Sequence, residues 1–378
     1  MLYYLFDYLD KQFDLAGAGV FQFISFRASL AAILSLLISL FIGKRIINYL
    51  KRKQIGETIR TVGPESHFSK KGTPTMGGVI ILISILIPTL LVAKVENVYV
   101  LVMLLATLWM GAIGLTDDYI KVFLKNKQGL RSKFKIMGQV GLGIIIAATL
   151  FYHPDVQDIA LQTNLPIGKS LFSYANLAPT PGLAWVIYFA VIIFIVTAVT
   201  NAVNLTDGID GLAAGVSAIV GTGLGILAYM SGNTILADYL NILYVPMSGE
   251  VVVFLAALVG ACIGFIWYNS FPAQVFMGDT GSLALGGALA AVAIIIKMEL
   301  LLPILCGIFF VESLSVIIQV TYFKYTKKKY GEGRRIFKMS PLHHHYELKG
   351  IPEPKIVTRF WIVAIFLVIV TIALLKLR

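Results

Sequence analysis

Apolar residues fall in ten long runs, at 24–43, 76–93, 98–117, 136–152, 183–203, 209–230, 249–268, 281–297, 300–323 and 359–376. About 20 apolar residues suffice for a helix to cross a bilayer. The pattern therefore predicts an all-α integral membrane protein of about ten transmembrane helices, with residues 1–378 forming a single polytopic domain. The polar intervals are too short for a separate soluble domain, although 153–182 has room for a small hairpin. Residues 1–20 are acidic and aromatic, unlike the basic start of a cleavable signal peptide.

Basic residues orient these runs. Segment 44–75 holds eight Lys and Arg, 118–135 six and 324–359 ten, which is 24 of the 31 in the chain. With ten crossings all three segments share one side, and a cationic excess marks that side as cytoplasmic. The expected cytoplasmic loops are 44–75, 118–135, 204–208, 269–280 and 324–358. The loop 153–182 and both termini are then expected outside.

Composition supports the membrane reading. The chain is 58% hydrophobic and 13% charged, against about 25% charged in soluble domains. In so apolar a chain, the net charge of +11 reads as positive-inside bias and affinity for anionic lipid or phosphate, not for nucleic acid. Cys262 and Cys306 lie in apolar runs and read as small core residues.

Candidate chemistry gathers on the same side. Asp117, Asp118, Asp207, Asp210 and Asp279 all fall at the cytoplasmic ends of runs, although only Lys and Arg set the orientation. In Asn201-Ala-Val-Asn204-Leu-Thr-Asp207-Gly-Ile-Asp210-Gly211, two carboxamides and two carboxylates alternate with glycines. A solvated loop between helices needs no such pattern. Asp117 and Asp118 are adjacent, and like charges that close call for a cation or a shared proton. A metal site, a proton acceptor and a plain polar helix end all remain open there. Asp279 stands in a glycine-flanked turn before a run, where free helix N–H groups would favour a phosphate and the acid could hold a metal on it. Alternatively, Asp279 or Ser282 simply caps that helix.

Three further stretches carry polar chemistry. Lys70-Lys71-Gly-Thr-Pro-Thr75-Met-Gly-Gly suits a diphosphate but lacks the Walker spacing. It also reads as a basic flank before packing glycines. Ser340-Pro-Leu-His343-His344-His345-Tyr-Glu347 places three imidazoles in a basic loop, as donors to phosphate or sugar oxygens. Glu312 and Gln319 share a face inside the ninth run. An intramembrane acid marks either function or a bond between helices.

GTPTMGG (72–78), DD (117–118), NAVNLTDGIDGLA (201–213), FMGDTGSLALGG (276–287) and SPLHHHYE (340–347) resemble the phospho-N-acetylmuramoyl-pentapeptide transferases. That family lies within the polyprenyl-phosphate N-acetylhexosamine-1-phosphate transferases. The resemblance covers most of the chain, with Val62 departing where an acid is expected. It implies a bacterial inner-membrane enzyme of peptidoglycan synthesis. UDP-N-acetylmuramoyl-pentapeptide and undecaprenyl phosphate would give lipid I and UMP, with Mg²⁺ as cofactor. Membrane lipids are implied partners, as, by resemblance only, is a second copy in a homodimer.

The resemblance also implies roles. Asp279 would hold Mg²⁺, and Asp117 and Asp118 would orient or deprotonate the lipid phosphate or share the metal. Asn204, Asp207, Asn269 and Phe276 would shape the nucleoside site, and Asn201 and Asp210 would also bind substrate. Lys70, Thr75 and Lys133 would contact phosphates. His343, His344 and His345 would assist at the sugar-phosphate or peptide end, with His344 among the catalytic groups. A groove near Glu312 and Gln319 would admit the lipid tail. Rival readings are a UDP-N-acetylglucosamine enzyme of the same superfamily and, more remotely, a transporter or flippase. The histidine run argues against the first. The gathering of acids at one surface, without a repeat of broken helices, argues against the second.

Overall fold

A computed structural model describes residues 1–53, 72–126, 128–168 and 171–376. The elements run α1 (Leu2–Phe13), α2 (Ile24–Arg52), α3 (Gly78–Val92), α4 (Val98–Val122), α5 (Ser132–Tyr152), α6 (Pro154–Ala160), β1 (Gln162–Thr163), β2 (Phe172–Ser173), α7 (Pro181–Thr206), α8 (Leu212–Ser231), α9 (Thr234–Leu240), α10 (Gly249–Asn269), α11 (Gly278–Ile295), α12 (Leu302–Leu305), α13 (Gly307–Tyr330), α14 (Leu342–Glu347) and α15 (Glu353–Lys376). Among the described residues nine helices are long and apolar enough to cross a membrane, and α3 is a shorter apolar helix. Nine of the ten expected runs each form one helix, and the ninth, 300–323, is broken.

The boundaries differ where polar residues carry a helix past its apolar run. α4 continues through Asp117 and Asp118 to Val122, and α15 starts at Glu353. The ninth run departs most. Pro303 sits in the short α12, where a missing N–H and a fixed φ favour a helix start. The chain turns at Cys306, and α13 then runs on through the lysines to Tyr330.

The axis of the bundle is α11. Every residue from Thr280 to Ile295 is buried, and the helix packs against α4, α7, α3 and α8. Glycines allow that closeness. A Cβ on Gly114 would stand 2.1 Å from the Asp279 carbonyl oxygen, and one on Gly78 would stand 2.0 Å from the Gly281 nitrogen. Backbone meets backbone at both places, so only glycine fits. Around this axis α2, α3 and α8 pack on α10, α5 and α13 on α7, and α15 on α8.

Alternating directions bring the starts of α3, α5, α8, α11 and α15 to one face, with the ends of α2, α4, α7, α10 and α13. This basic face carries Lys44, Lys51, Lys121, Lys135, Lys327 and Lys338. The opposite face is held by two buried polar groups. Arg27 and Glu250 form a two-pronged ion pair, 2.6 Å on each prong, and Glu250 also accepts the Lys94 N–H at 2.9 Å. Lys297 donates to the Ala160 carbonyl at 3.0 Å and the Tyr188 hydroxyl at 2.7 Å. The 153–182 loop contains a two-stranded pairing, with Gln162 opposite Ser173 and Thr163 opposite Phe172.

Candidate active site

At the basic face the end of α4 meets the start of α11. Asp118, buried, lends its carboxylate to that helix start. Its Oδ1 accepts the Asp279 N–H at 3.1 Å, and its Oδ2 accepts the Thr280 N–H at 2.9 Å and the Thr280 hydroxyl at 2.6 Å. Unpaired N–H groups at a helix start favour a carboxylate. The sequence expectation that Asp279 or Ser282 is the cap is thus corrected: the cap comes from α4. Ser282 instead donates to the Gly278 carbonyl at 3.1 Å and accepts the Asn204 amide at 2.8 Å.

Asp117 is fully buried. Its Oδ1 accepts the Leu130 N–H at 2.7 Å and lies 2.9 Å from Lys135 Nζ, while its Oδ2 pairs with Lys121 one turn further along α4. Asp279 is the most open of the three acids, its side chain 17% exposed. Its Oδ2 lies 2.5 Å from Lys135 Nζ and 3.4 Å from Lys121 Nζ, and its Oδ1 accepts the Asn204 amide at 3.2 Å. One oxygen from each acid lies within 4.8 Å of the others. Three carboxylates against two ammonium groups leave one net negative charge.

The other motifs are joined to this cluster through the backbone. Phe276 donates its N–H to the Pro74 carbonyl, Gly77 to the Phe276 carbonyl and Gly78 to the Met277 carbonyl, each at 2.8 Å. The 74–78 stretch thus lies along 276–277. Gly278 sits between Thr75 and Asp118: a Cβ there would be 3.0 Å from Thr75 Oγ1 and 2.6 Å from Asp118 Oδ2.

Several expected binding residues also hold the protein together. Asn201 donates to Gln139 at 3.0 Å and to the Thr197 carbonyl at 2.8 Å. Asn269 accepts the Gly211 N–H and donates to the Val275 carbonyl, both at 2.9 Å. Asp210 accepts the Ala273 N–H at 3.0 Å. Gln319 accepts the Ile336 and Phe337 N–H groups at 3.0 Å each and donates to the Phe337 carbonyl at 3.1 Å. The structure therefore places Gln319 as an anchor of the loop after α13. Asp207 ends α7 and is partly exposed.

The three histidines take different partners. His343 is fully buried, its Nδ1 3.2 Å from the Glu312 carboxylate, which also faces its backbone N–H. His344 Nδ1 lies 2.6 Å from Glu347. His345 Nδ1 accepts the Lys338 N–H at 3.0 Å. Burial, and then the charges of Lys349 and Lys338, hold the His345 imidazole below its ordinary pKa.

Lys133 is exposed at the start of α5, and Lys135 is the lysine that reaches the acids. Lys135 lies four residues before buried Gln139, on the inward side of α5. Lys121 was also missed, although Asp117 and Lys121 stand at i and i+4 in the sequence. Lys70 and Val62 lie outside the described residues.

Residues 100–297 match Glycosyl transferase family 4, and residues 70–82 match the phospho-N-acetylmuramoyl-pentapeptide-transferase signature 1. The chain is 55% identical to the phospho-N-acetylmuramoyl-pentapeptide-transferase of Flavobacterium psychrophilum, over the whole of both chains. It is 55% identical to the protein of that name from Parabacteroides distasonis and 52% identical to that from Amoebophilus asiaticus, again over full length. The chain belongs to the phospho-N-acetylmuramoyl-pentapeptide transferase family. The family match at 100–297 runs from α4 to just past α11 and so contains all three clustered acids. The signature covers the stretch that pairs with Phe276 and Met277 and leads into α3. Family and helices together describe a multi-pass bacterial membrane protein.

Proposed function

We propose that this chain transfers phospho-N-acetylmuramoyl-pentapeptide from its UDP-linked donor to undecaprenyl phosphate, giving lipid I and UMP, in peptidoglycan synthesis. The basic face is the cytoplasmic one in this reading. The observation that carries it is the group of Asp117, Asp118 and Asp279 with Lys121 and Lys135, in a chain whose full-length relatives are named for this transfer.

The donor set fits Mg²⁺, which takes carboxylate, phosphate and water oxygens. Asp279 and Asp117 are the residues to hold it. Once bound, it would offset charge on the diphosphate and polarise the phosphoryl oxygens.

The protein's own groups account for the rest. Two anionic substrates must meet, and Lys121 and Lys135 set two positive charges beside the most open acid. Asn204 orients Asp279, and with Asp207 and Phe276 it forms the nucleoside end. Thr75 contacts phosphate, and Glu347 orients His344 toward the sugar-phosphate. A lipid phosphate oxygen attacks the phosphorus bearing the sugar, the bond to the UMP oxygen breaks, and UMP leaves with the electron pair. A lipid phosphate is already ionised near neutral pH, so a strong base is not required. Asp118, with both oxygens engaged on α11, holds the site, and Asp117, itself buried, positions the lipid phosphate through Lys121 and Lys135, which it holds in place.

The test is UMP release by purified protein in detergent with undecaprenyl phosphate and Mg²⁺, offering UDP-N-acetylmuramoyl-pentapeptide or UDP-N-acetylglucosamine. UMP from the first alone, lost in Asp279→Ala, is the expected result. UMP from the second alone moves the chain to another branch of the chemistry. Isotope exchange between UMP and the donor without lipid would refute direct attack.

A further inference from the structure

The turn between α7 and α8 carries Asp207 and Asp210 and leads into the start of α8. Gly211, which precedes α8, has φ +82° and makes no side-chain cap bond. Two N–H groups at this helix start are instead taken from a distance. Asn269 of α10 accepts the Gly211 N–H at 2.9 Å. Glu353, the first residue of α15, accepts the Asp210 N–H at 2.6 Å across 143 residues of sequence. Glu353 is 6% exposed, and α15 lies along α8. A carboxylate at the positive end of a helix is favoured, and a charged acceptor makes a stronger bond than a neutral one.

The bond is one link of a series. Asp210 takes its N–H partner from Glu353 and passes its own carboxylate to the Ala273 N–H at 3.0 Å. The loop that contains Ala273 pairs at Phe276 with Pro74 at 2.8 Å. Glu353 is thus at the head of a chain of contacts running through the 207–211 turn, the 270–277 loop and the 74–78 stretch. The last two border the acid cluster at Gly278, beside Asp118 and Thr75, and the turn follows Asn204, which bonds Asp279.

We infer that Glu353 is a positioning residue for the nucleotide end of the donor: through this buried bond the last helix helps set the place of the 207–211 turn. The inference rests on reading that turn as the nucleoside site.

The test compares Glu353→Ala and Glu353→Gln with the wild-type protein, measuring KM for UDP-N-acetylmuramoyl-pentapeptide, KM for undecaprenyl phosphate, kcat and melting temperature in detergent. Gln keeps an acceptor oxygen and Ala does not. Glu353→Ala is expected to raise the donor KM by about tenfold, the usual size of a lost bond to a charged group, with kcat within about threefold and the lipid KM unchanged. Glu353→Gln is expected to recover most of that rise. An unchanged donor KM in Glu353→Ala overturns the inference. So does a parallel loss with both substrates that follows melting temperature, which is what a merely structural residue would give. If Glu353→Ala does not fold, the Gln variant decides: a donor KM equal to wild type at lowered melting temperature overturns the inference, and a rise of about two- to fivefold confined to the donor supports it. A wild-type protein without activity on this donor would sink the nucleoside-site reading itself, a result distinct from any of these.

Discussion

The carboxylate of Asp118 accepts the backbone N–H of Asp279 at 3.1 Å, so one acid of the cluster fixes the helix on which another is mounted. Replacing Asp118 by Ala leaves the α11 start without an acceptor in a buried place. The expected cost is about 2 kcal/mol of stability, read as a lower melting temperature together with lost UMP release. Asp279→Ala removes no helix cap and is expected to abolish activity with a much smaller change in melting temperature.

Lys135 and Lys133 separate a reaching lysine from a surface one. Lys135→Ala is expected to lower kcat by about 10²-fold, the usual size for one electrostatic group at a reacting centre. Lys133→Ala is expected to stay within about threefold. Steady-state kinetics of the two variants checks this, and equal losses would contradict the geometry.

Gly114 lies against the Asp279 carbonyl. Gly114→Ala puts a methyl group 2.1 Å from that oxygen, so α4 and α11 must part and carry Asp117 and Asp118 away from Asp279. Overpacking of this kind costs about 1–3 kcal/mol. Melting temperature and activity should fall together, and a variant of wild-type activity would show that the helices separate without moving the acids.

The loop after α13 should respond to acid. His345 accepts the Lys338 N–H through Nδ1, which requires the neutral ring, and burial and two lysines depress its pKa. A depressed folded-state value means the contribution is present above the ordinary histidine value, near 6.5, and is lost as pH falls through the folded value. Hydrogen exchange at the Lys338 amide, corrected for its intrinsic pH dependence, should therefore lose protection from pH 7.5 to about 5. His345→Phe should lack that protection at both pH values.

At the opposite face, Arg27 and Glu250 bury opposite charges, 1% and 5% exposed. Arg27→Ala leaves an unpaired buried carboxylate and should cost about 3–5 kcal/mol. The double change Arg27→Met with Glu250→Leu should restore much of the melting temperature. Activity per folded molecule should remain near wild type, since Glu250 stands at the start of α10 and the acids lie at the opposite end of the bundle.

The ten helices and the sharing of one face by the acids were legible because hydropathy and the Lys and Arg bias act over whole segments. Contacts across the bundle were not. Asp118 reads in sequence as half of an acidic pair, and only the approach of α4 to α11 reveals a cap. Lys133 and Lys135 are equivalent as flanking charges until α5 is known to begin at Ser132, which turns Lys135 inward. Glu353 has no local signal at all, because its partner is 143 residues away. The break at Cys306 was readable from Pro303 but was hidden by an apolar run that continues through it.

The complete burial of α11 from Thr280 to Ile295 has a consequence for how the protein meets different membranes. A helix with no lipid-facing surface feels no hydrophobic mismatch directly. Tilting to match a thinner or thicker bilayer falls to the outer helices, such as α2, α5 and α15. The rod that carries Asp279 is insulated from that adjustment, so its geometry can stay the same while the surrounding lipid changes.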